Sequence, residues 1–263
     1  MNWAQRRKLT YIAIVLAFFA LVAFLIIHKA TAVAPSCFDN KQDGTETGVD
    51  CGGICNTYCA GQLSDPIVEW VRVFPVTPGI VNAVAYIQHN HPQAAAEQVG
   101  YEFKLYDANN VILADRTGTT YLGPAGDSAI VETLIPVSAT DPVSLARFSF
   151  IDPIHWQKIP NDFSQIVINA DQHSIESFNT GVQQNTRLTA VLQNQSRYNF
   201  KNMDAIAIFY DQDGNAITAS KILVPQLNAL ESKTVYFTWS YPITTIARTE
   251  IITRFDPFTS HPL

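Results

Sequence analysis

The residues with the clearest chemistry are the four cysteines, which all lie in one short segment: Cys37, Cys51, Cys55 and Cys59. An even number of closely spaced cysteines is typical of disulfides in an exported segment, where the compartment lets such bonds persist. Their pairing stays open among three connectivities. The alternative is a zinc knot, but the C-x3-C spacings differ from the usual C-x2-C and no histidine lies inside the cluster. We therefore predict two disulfides, which would staple a segment too poor in large apolar residues to build its own core.

Acidic residues and a glycine in the first part of this segment follow the spacing of a calcium-binding loop. The matching or supporting residues are Asp39, Asp43, Gly44, Glu46 and Asp50. Calcium takes several carboxylate oxygens, and its loops need a glycine for a sharp turn. Lys41 stands where such a loop usually has an acid, and a solvated turn rich in Asp, Asn and Gly is the competing interpretation. Calcium is the one cofactor that the sequence suggests.

A second candidate metal site is the stretch His89-Asn90-His91-Pro92, because residues two apart on a strand point to the same side. His155 and His173 could complete it. However, the matching stretch later in the chain is Asn194-Gln195-Ser196, which favours a solvated polar bend at a strand end. The sequence has no G-x-S-x-G elbow, no phosphate-binding G-x-x-x-x-G-K and no H-E-x-x-H motif. We predict that the protein is not an enzyme, and keep a metal-dependent enzyme as the least favoured alternative.

Aromatic residues form a third candidate surface, which could bind a polysaccharide or a peptide if the rings were exposed. Most are expected in the core, because the alternation in Trp70–Phe74 and Val235–Trp239 buries one face of each strand. The candidates are Trp70, Phe74, Phe148, Phe150, Trp156, Phe163, Tyr236, Phe237, Trp239, Tyr241 and Phe255.

The element that positions all of these groups is an uncharged apolar run from Leu9 to Ile27, which as a helix spans roughly 28 Å and can cross a bilayer. Three cations precede it and only Lys29 follows closely, so the N-terminus is expected in the cytoplasm. We predict a cytoplasmic tail over residues 1–8 and a single transmembrane helix over residues 9–28. The later domains would then be extracytoplasmic.

Two processing alternatives remain open for this end of the chain. A signal peptide could be cleaved after Ala30-Thr31-Ala32, although the apolar run is longer than a usual signal core. Lipidation of Cys37 is disfavoured by Ala34-Pro35 before it. Whether the apolar run stays as an anchor or is removed as a signal peptide, the rest of the chain is exported.

Composition and patterning describe that exported part as mainly β. Seventeen Lys and Arg stand against 23 Asp and Glu, for a net charge of −6, so no basic surface for nucleic acid is present. After residue 60, alternating apolar and polar residues are broken by regular turn clusters, which is typical of a sandwich or barrel. We predict a disulfide-stapled neck over residues 29–62, a first β-sandwich over 63–155, and a linker with a second β-sandwich over 156–263.

One pattern occurs twice in this β part, in Val84–Ile112 and in Thr189–Ile217. Both stretches contain a strand that ends in Tyr-Asp and a turn rich in Asn, Asp and Gly, which is typical of a hairpin. Further strands follow in each copy, and Asp152-Pro153 and Asp256-Pro257 end the copies. The segment Pro153–Asn161 is predicted to be the linker between them.

These stretches resemble known families at two places. Phe103–Asp107 matches the FxLYD domain literally and Ile208–Asp211 matches it loosely, which implies two tandem immunoglobulin-like β-sandwiches of a non-catalytic type. The segment Glu46-Thr47, Asp50–Gly53 and its cysteines resemble a short extracellular cysteine repeat that is found beside adhesion-type domains, although the last gap is one residue longer here. The resemblance implies an interaction or spacer role toward an envelope or extracellular protein or a polysaccharide. An accessory subunit of a secretion or pilus complex is the alternative.

Overall fold

The computed structural model describes residues 3–31, 36–160, 163, 166–181 and 183–262. Strands make up 53% of the structure and helix 11%, so the chain is mainly β, as predicted. Two compact units are present, Met1–Cys55 and Asn56–Leu263. Several positions named in the sequence predictions lie outside the described residues: Ala32, Val33, Ala34, Pro35 and Asn161.

Helix α1 (Trp3–Thr31) lies in the N-terminal part of the chain. Its stretch Gln5–Ile27 has a mean hydropathy of 2.9, and the most apolar part of this stretch is not buried against the rest of the protein. A helix that is apolar on all sides and covers no core matches the length and composition of a membrane span. A signal sequence would have the same features. The helix also includes most of the predicted tail, because the cations before Leu9 continue it without a break.

Seven strands form the first β half. They are β1 (Ile67–Thr77), β2 (Ile80–His89), β3 (Ala94–Tyr106), β4 (Ile112–Leu122), β5 (Gly126–Pro136), β6 (Leu145–Phe150) and β7 (Gln157–Lys158). One sheet has the order β1-β2-β5 and the other the order β4-β3-β6, with β7 paired to β3. All of these pairs are antiparallel. Pro78-Gly79 joins β1 to β2, and the φ of +80° at Gly79 is the conformation that a type II turn requires.

Among the described residues, seven strands also form the second β half. They are β8 (Ile168–Thr180), β9 (Gln183–Asn194), β10 (Tyr198–Tyr210), β11 (Ala216–Leu227), β12 (Ser232–Trp239), β13 (Arg248–Arg254) and β14 (His261–Pro262). Their sheets have the orders β12-β9-β8 and β11-β10-β13, with β14 paired to β10. The strand order is therefore the same in both halves, strand for strand.

Each β half encloses its own core between its two sheets. The largest fully buried side chains of the first core are Ile87, Phe103, Leu105, Leu122, Ile130 and Ile135. Those of the second are Leu188, Leu192, Phe200, Met203, Phe209 and Phe237. These side chains come from alternate positions of their strands, which is the pattern that half-buried sheets produce.

The segment predicted as a linker is packed rather than free. Trp156 and Ile159 are only 4% and 7% exposed. Between them, β7 pairs with Ala94-Ala95 at the start of β3. The residues before it, Asn56 and Tyr58, are bonded to the same segment, because Tyr58 N donates to Trp156 O and Lys158 N donates to Asn56 O.

Candidate functional site

The cysteine segment is oxidised as predicted. Cys37 and Cys55 form a disulfide with a Cα–Cα distance of 5.6 Å, and Cys51 and Cys59 are also disulfide-bonded. No described cysteine is free. Sulfur binds zinc as a thiolate, so the oxidised cysteines offer no ligands for the alternative zinc knot.

The predicted calcium ligands lie in one loop, where several of their oxygens accept backbone hydrogen bonds. Asp50 accepts from the N–H groups of Asp39 and Asn40, at 3.0 and 2.9 Å. Glu46 Oε2 accepts from Asp43 N and Asp50 N, at 3.2 and 3.3 Å. These bonds fix the turns of a segment that has no regular secondary structure. These hydrogen bonds are the ones expected of the competing interpretation, in which the acidic residues stabilise turns rather than bind an ion.

One oxygen of this loop has no such role. Asp43 Oδ1 is buried and has no hydrogen-bond partner. Among the described residues, one group of three ligand-bearing side chains has metal-site spacing, namely Cys37, Glu46 and Cys55. Two of its three members are disulfide sulfurs, so this group is a close sulfur–carboxylate contact, with Cys55 Sγ 3.0 Å from Glu46 Oε1. Calcium at the predicted loop stays a prediction.

His89 and His91 come together, but as part of an aromatic cluster with Trp156. Their ring centroids are 5.8 Å apart, and each lies 5.2 Å from the Trp156 ring. His91 Nε2 is 2.9 Å from Ser64 O. Within the part of the chain that the structure describes, neither His155 nor His173 joins them in a group of metal-site spacing.

The bend at His89 differs from its predicted solvated state, because His89 is only 7% exposed. Its Nδ1 is buried without a hydrogen-bond partner. Burial, and then the neighbouring His91, lower the pKa of His89 to about 4. The reason is that β2 extends to His89, whose side chain continues the inward-facing positions of Ala85 and Ile87.

A cavity of about 310 Å³ lies beside His89 and is also lined by Tyr121, Ser128, Arg254 and Phe255. Arg254 is 7% exposed, and its Nη2 donates to Thr120 Oγ1 and Tyr121 O at 2.7 and 2.6 Å. The Tyr121 hydroxyl is buried without a partner, and burial raises its pKa to about 12. The cavity therefore combines a neutral imidazole, a neutral phenol and a guanidinium that is already bonded to the protein.

Of the aromatic residues proposed as a binding platform, only Tyr236 is exposed, at 56%. Beside it on the outer face of the β12-β9-β8 sheet, the guanidinium of Arg187 lies 5.9 Å from the Tyr236 ring and 4.5 Å from the Phe178 ring. Arg187 also pairs with Glu176 at 3.2 Å. The other proposed rings are buried or half-buried, so an extended aromatic platform does not form among them.

The largest feature that sequence reasoning missed is the contact between the two β halves. The outer face of the β1-β2-β5 sheet packs on the outer face of the β11-β10-β13 sheet. Its buried residues are Phe74, Val84, Ala129, Val131, Ile206, Ile208, Tyr210, Ala216, Ala219 and Ile252. A signal was present in the sequence, because β10 contains the unbroken apolar run Ala205–Tyr210, and a strand buried on both faces has such a run.

Polar bonds surround this apolar contact. Glu250 accepts from the hydroxyls of Tyr86 and Tyr210, at 2.8 and 2.7 Å. From the first half, Arg72 donates to Ala216 O and Asn215 Oδ1, at 2.9 and 3.0 Å. Burial, followed by Glu250, raises the pKa of both tyrosines, so both phenols stay protonated donors at neutral pH.

No known protein family and no curated protein matches the chain. Among solved structures, a β-glucuronidase from glycoside hydrolase family 2 matches with a TM-score of 0.26 and 10% identity, over 70% of this chain and 23% of that chain. The chain thus spans about a quarter of the glucuronidase. The tandem CBM22 domains of Paenibacillus barcinonensis Xyn10C match with a TM-score of 0.15 and 8% identity, over 74% and 86% of the two chains. A variant oxalate decarboxylase of Bacillus subtilis gives 0.10 and 8%, over 84% and 82%.

Proposed function

We propose that this chain is a single-pass, outward-facing surface protein that binds or spaces and does not catalyse. Its N-terminus would lie in the cytoplasm, and its stapled neck would present two immunoglobulin-like β-sandwiches of the FxLYD type outside. The observation that carries this proposal is the contact between the two β halves. Ten buried residues and the bonds of Glu250 and Arg72 join the halves into one body, which suits a stiff presenting element rather than a flexible string of domains.

Compartment and membrane topology support the same proposal. Disulfides persist in oxidising compartments outside the cytoplasm. An exposed apolar helix directly before them provides an anchor of sufficient length. The acidic composition gives no electrostatic attraction to anionic lipid, so the anchoring would depend on apolar contacts, first of all those of the helix.

The deciding experiment is crosslinking on intact cells with a membrane-impermeant reagent, followed by identification of the captured proteins. Exposed lysines of the β halves, such as Lys201, should react without permeabilisation. Capture of one surface protein or glycan-bearing component supports a binding role. A stoichiometric complex that survives detergent purification supports the alternative of an accessory envelope subunit. Labelling only after permeabilisation would contradict the proposed orientation.

We further propose calcium as a ligand of the loop that contains Asp39, Asp43, Glu46 and Asp50, because the buried Asp43 Oδ1 has no partner within the protein. Calcium should slow proteolysis of residues 36–55 in the full chain, whereas magnesium, which demands a tighter octahedral shell, should not. The variant Asp43→Asn should lose this protection and keep both disulfides. Equal cleavage rates with calcium and with chelator would remove the ion from the proposal.

A further inference from the structure

The part of the cysteine segment next to the membrane helix exposes its large apolar side chains. Phe38 is 91% exposed, Ile54 is 76% exposed and Val49 is 55% exposed. Single exposed apolar residues are ordinary on a protein surface. Here, however, they are the large apolar residues of a segment whose disulfides replace a core, so none of them is needed inside.

The disulfide holds the backbone at two of these residues close together. Phe38 follows Cys37 and Ile54 precedes Cys55, whose Cα atoms are 5.6 Å apart. Since consecutive Cα atoms are about 3.8 Å apart, the Cα atoms of Phe38 and Ile54 are at most about 13 Å apart. We call these two exposed residues, Phe38 and Ile54, the neck apolar pair.

Chain length places this pair close to the membrane surface. Helix α1 ends at Thr31, and Phe38 follows seven residues later. Even a fully extended chain of that length reaches only about 25 Å. The polar headgroup layer of a bilayer is itself about 6 Å thick on each side. An apolar pair on so short a tether therefore meets the lipid interface at a high effective concentration.

Charge decides which kind of lipid contact is formed. Between Cys37 and Cys55 the chain has Asp39, Asp43, Glu46 and Asp50 against Lys41 alone. These carboxylates do not attract an anionic surface, so the contact must come from apolar burial. We propose that the neck apolar pair inserts into the interface of the outer membrane leaflet, as a second contact beside the helix. This inference rests on the anchoring in the proposed function.

The test uses the full chain reconstituted in phosphatidylcholine vesicles, as the separate variants Phe38→Trp and Ile54→Trp. Their added tryptophan emission should fall by at least half when the lipid acyl chains carry bromine near the headgroup. Thr45→Trp, at an exposed position of the same segment, is the matched control and should be quenched clearly less. Replacing a third of the lipid with phosphatidylglycerol should not increase the quenching. Mass spectrometry without reductant verifies that both disulfides are present in each variant.

Four outcomes overturn the inference in distinguishable ways. Protein released from the vesicles by alkaline carbonate has no integral anchor, which overturns both the proposed anchoring and the contact. Protein that is retained, with both new tryptophans unquenched, overturns the contact alone. Quenching that appears only with phosphatidylglycerol overturns the apolar origin of the contact, and emission that changes with protein density but not with bromine assigns the pair to a second copy of the chain.

Discussion

At the scale of single residues, the neck depends on a glycine that leaves no room for a side chain. Gly53 has a φ of +50°, and a Cβ at this position would lie 1.8 Å from the carbonyl oxygen of Thr45. Gly61, six residues beyond the disulfide partner Cys55, has a φ of +74° but no atom within 4 Å of such a Cβ. The two glycines share the backbone constraint and differ only in the space beside them.

This difference predicts unequal effects of alanine. Gly61→Ala should cost only the left-handed backbone penalty, about 1 kcal/mol. Gly53→Ala must in addition move the backbone at Thr45, so it should slow or prevent correct oxidation of the cysteines. The measurement is the fraction of protein with two disulfides after refolding, by mass spectrometry without reductant. Equal yields for the two variants would show that the loop rearranges freely.

A second prediction at this scale is that His89 makes the free energy of unfolding depend on pH. Its pKa is lowered to about 4 in the folded protein, against about 6.5 in an unfolded chain. Above pH 6.5 both states hold a neutral imidazole. As the pH falls from 6.5 toward 4, only the unfolded state takes up the proton, so the free energy of unfolding should fall by about 2–3 kcal/mol from this group.

The variant His89→Phe should remove that part of the pH dependence. The measurement is urea unfolding of the wild-type chain and the variant at pH 7 and at pH 4.5. The exposed His155 provides the control, since His155→Gln should leave the difference between the two pH values as in the wild type. A His89 variant with the wild-type pH dependence would contradict a neutral buried imidazole.

At the scale of elements, the two Tyr-Asp turns carry the same bonds. Asp107 Oδ1 accepts from Asn109 N and Val111 N, both at 2.8 Å. Asp211 Oδ1 accepts from Asp213 N and Asn215 N, at 3.0 and 2.8 Å. In each turn, one aspartate carboxylate accepts from two backbone N–H groups that have no backbone acceptor within the turn.

Removing the carboxylate should therefore loosen the hairpin that contains it. Asp211→Ala leaves two N–H groups without their acceptor, and it should lower the free energy of unfolding by about 1–3 kcal/mol. The control is Asp213→Ala in the same turn, whose carboxylate accepts neither of these hydrogen bonds. It should change the free energy of unfolding by less than about 0.5 kcal/mol. The midpoints of urea unfolding for the two variants provide the comparison.

Sequence reasoning predicted what is encoded locally and missed what depends on distant faces. The strands and turns around Tyr106 and Tyr210 were predictable, because alternation and turn residues act over a few positions. The oxidised cysteines were predictable from their even number. The burial of His89 and of Trp156 was not, because each depends on strands far away in sequence. The burial of Ala205–Tyr210 on both faces was missed for the same reason, since an apolar run does not show which sheet packs on it.

At the scale of the whole molecule, the outer faces of the two β halves cover each other, so we expect the halves to unfold together. Ile206 lies at the centre of that contact, fully buried, and the matching position of the first half in the shared strand order is Glu102. The two positions differ in burial but not in their place on the strand. They offer a matched pair for testing whether the halves separate.

Ile206→Glu buries a carboxylate near Glu250 and should lower the free energy of unfolding by about 3 kcal/mol or more, because a buried charge without a partner is costly. Glu102 lies half-buried on the free outer face and pairs with Lys104; Glu102→Gln keeps an oxygen that can accept from Lys104 and should cost at most about 1 kcal/mol. The readout that separates the halves is the radius of gyration in X-ray scattering, which should rise for Ile206→Glu while the circular dichroism of the strands persists. An unchanged radius would mean that other contacts hold the halves together.

The contact between the halves joins two different faces, the β1-β2-β5 face of the first half and the β11-β10-β13 face of the second. Contacts of this kind can repeat. In such a head-to-tail contact, one face of each type stays free at the two ends, so further copies can add in the same way and the assembly has no fixed length. Here the free end of the first half carries Glu102, Lys104, Asp115 and Ser149 where the joined face of the second half has Ile206, Ile208, Ala219 and Ile252. These polar and charged residues disfavour the burial of this face against another half of the same kind, because a buried charge is costly unless it is paired.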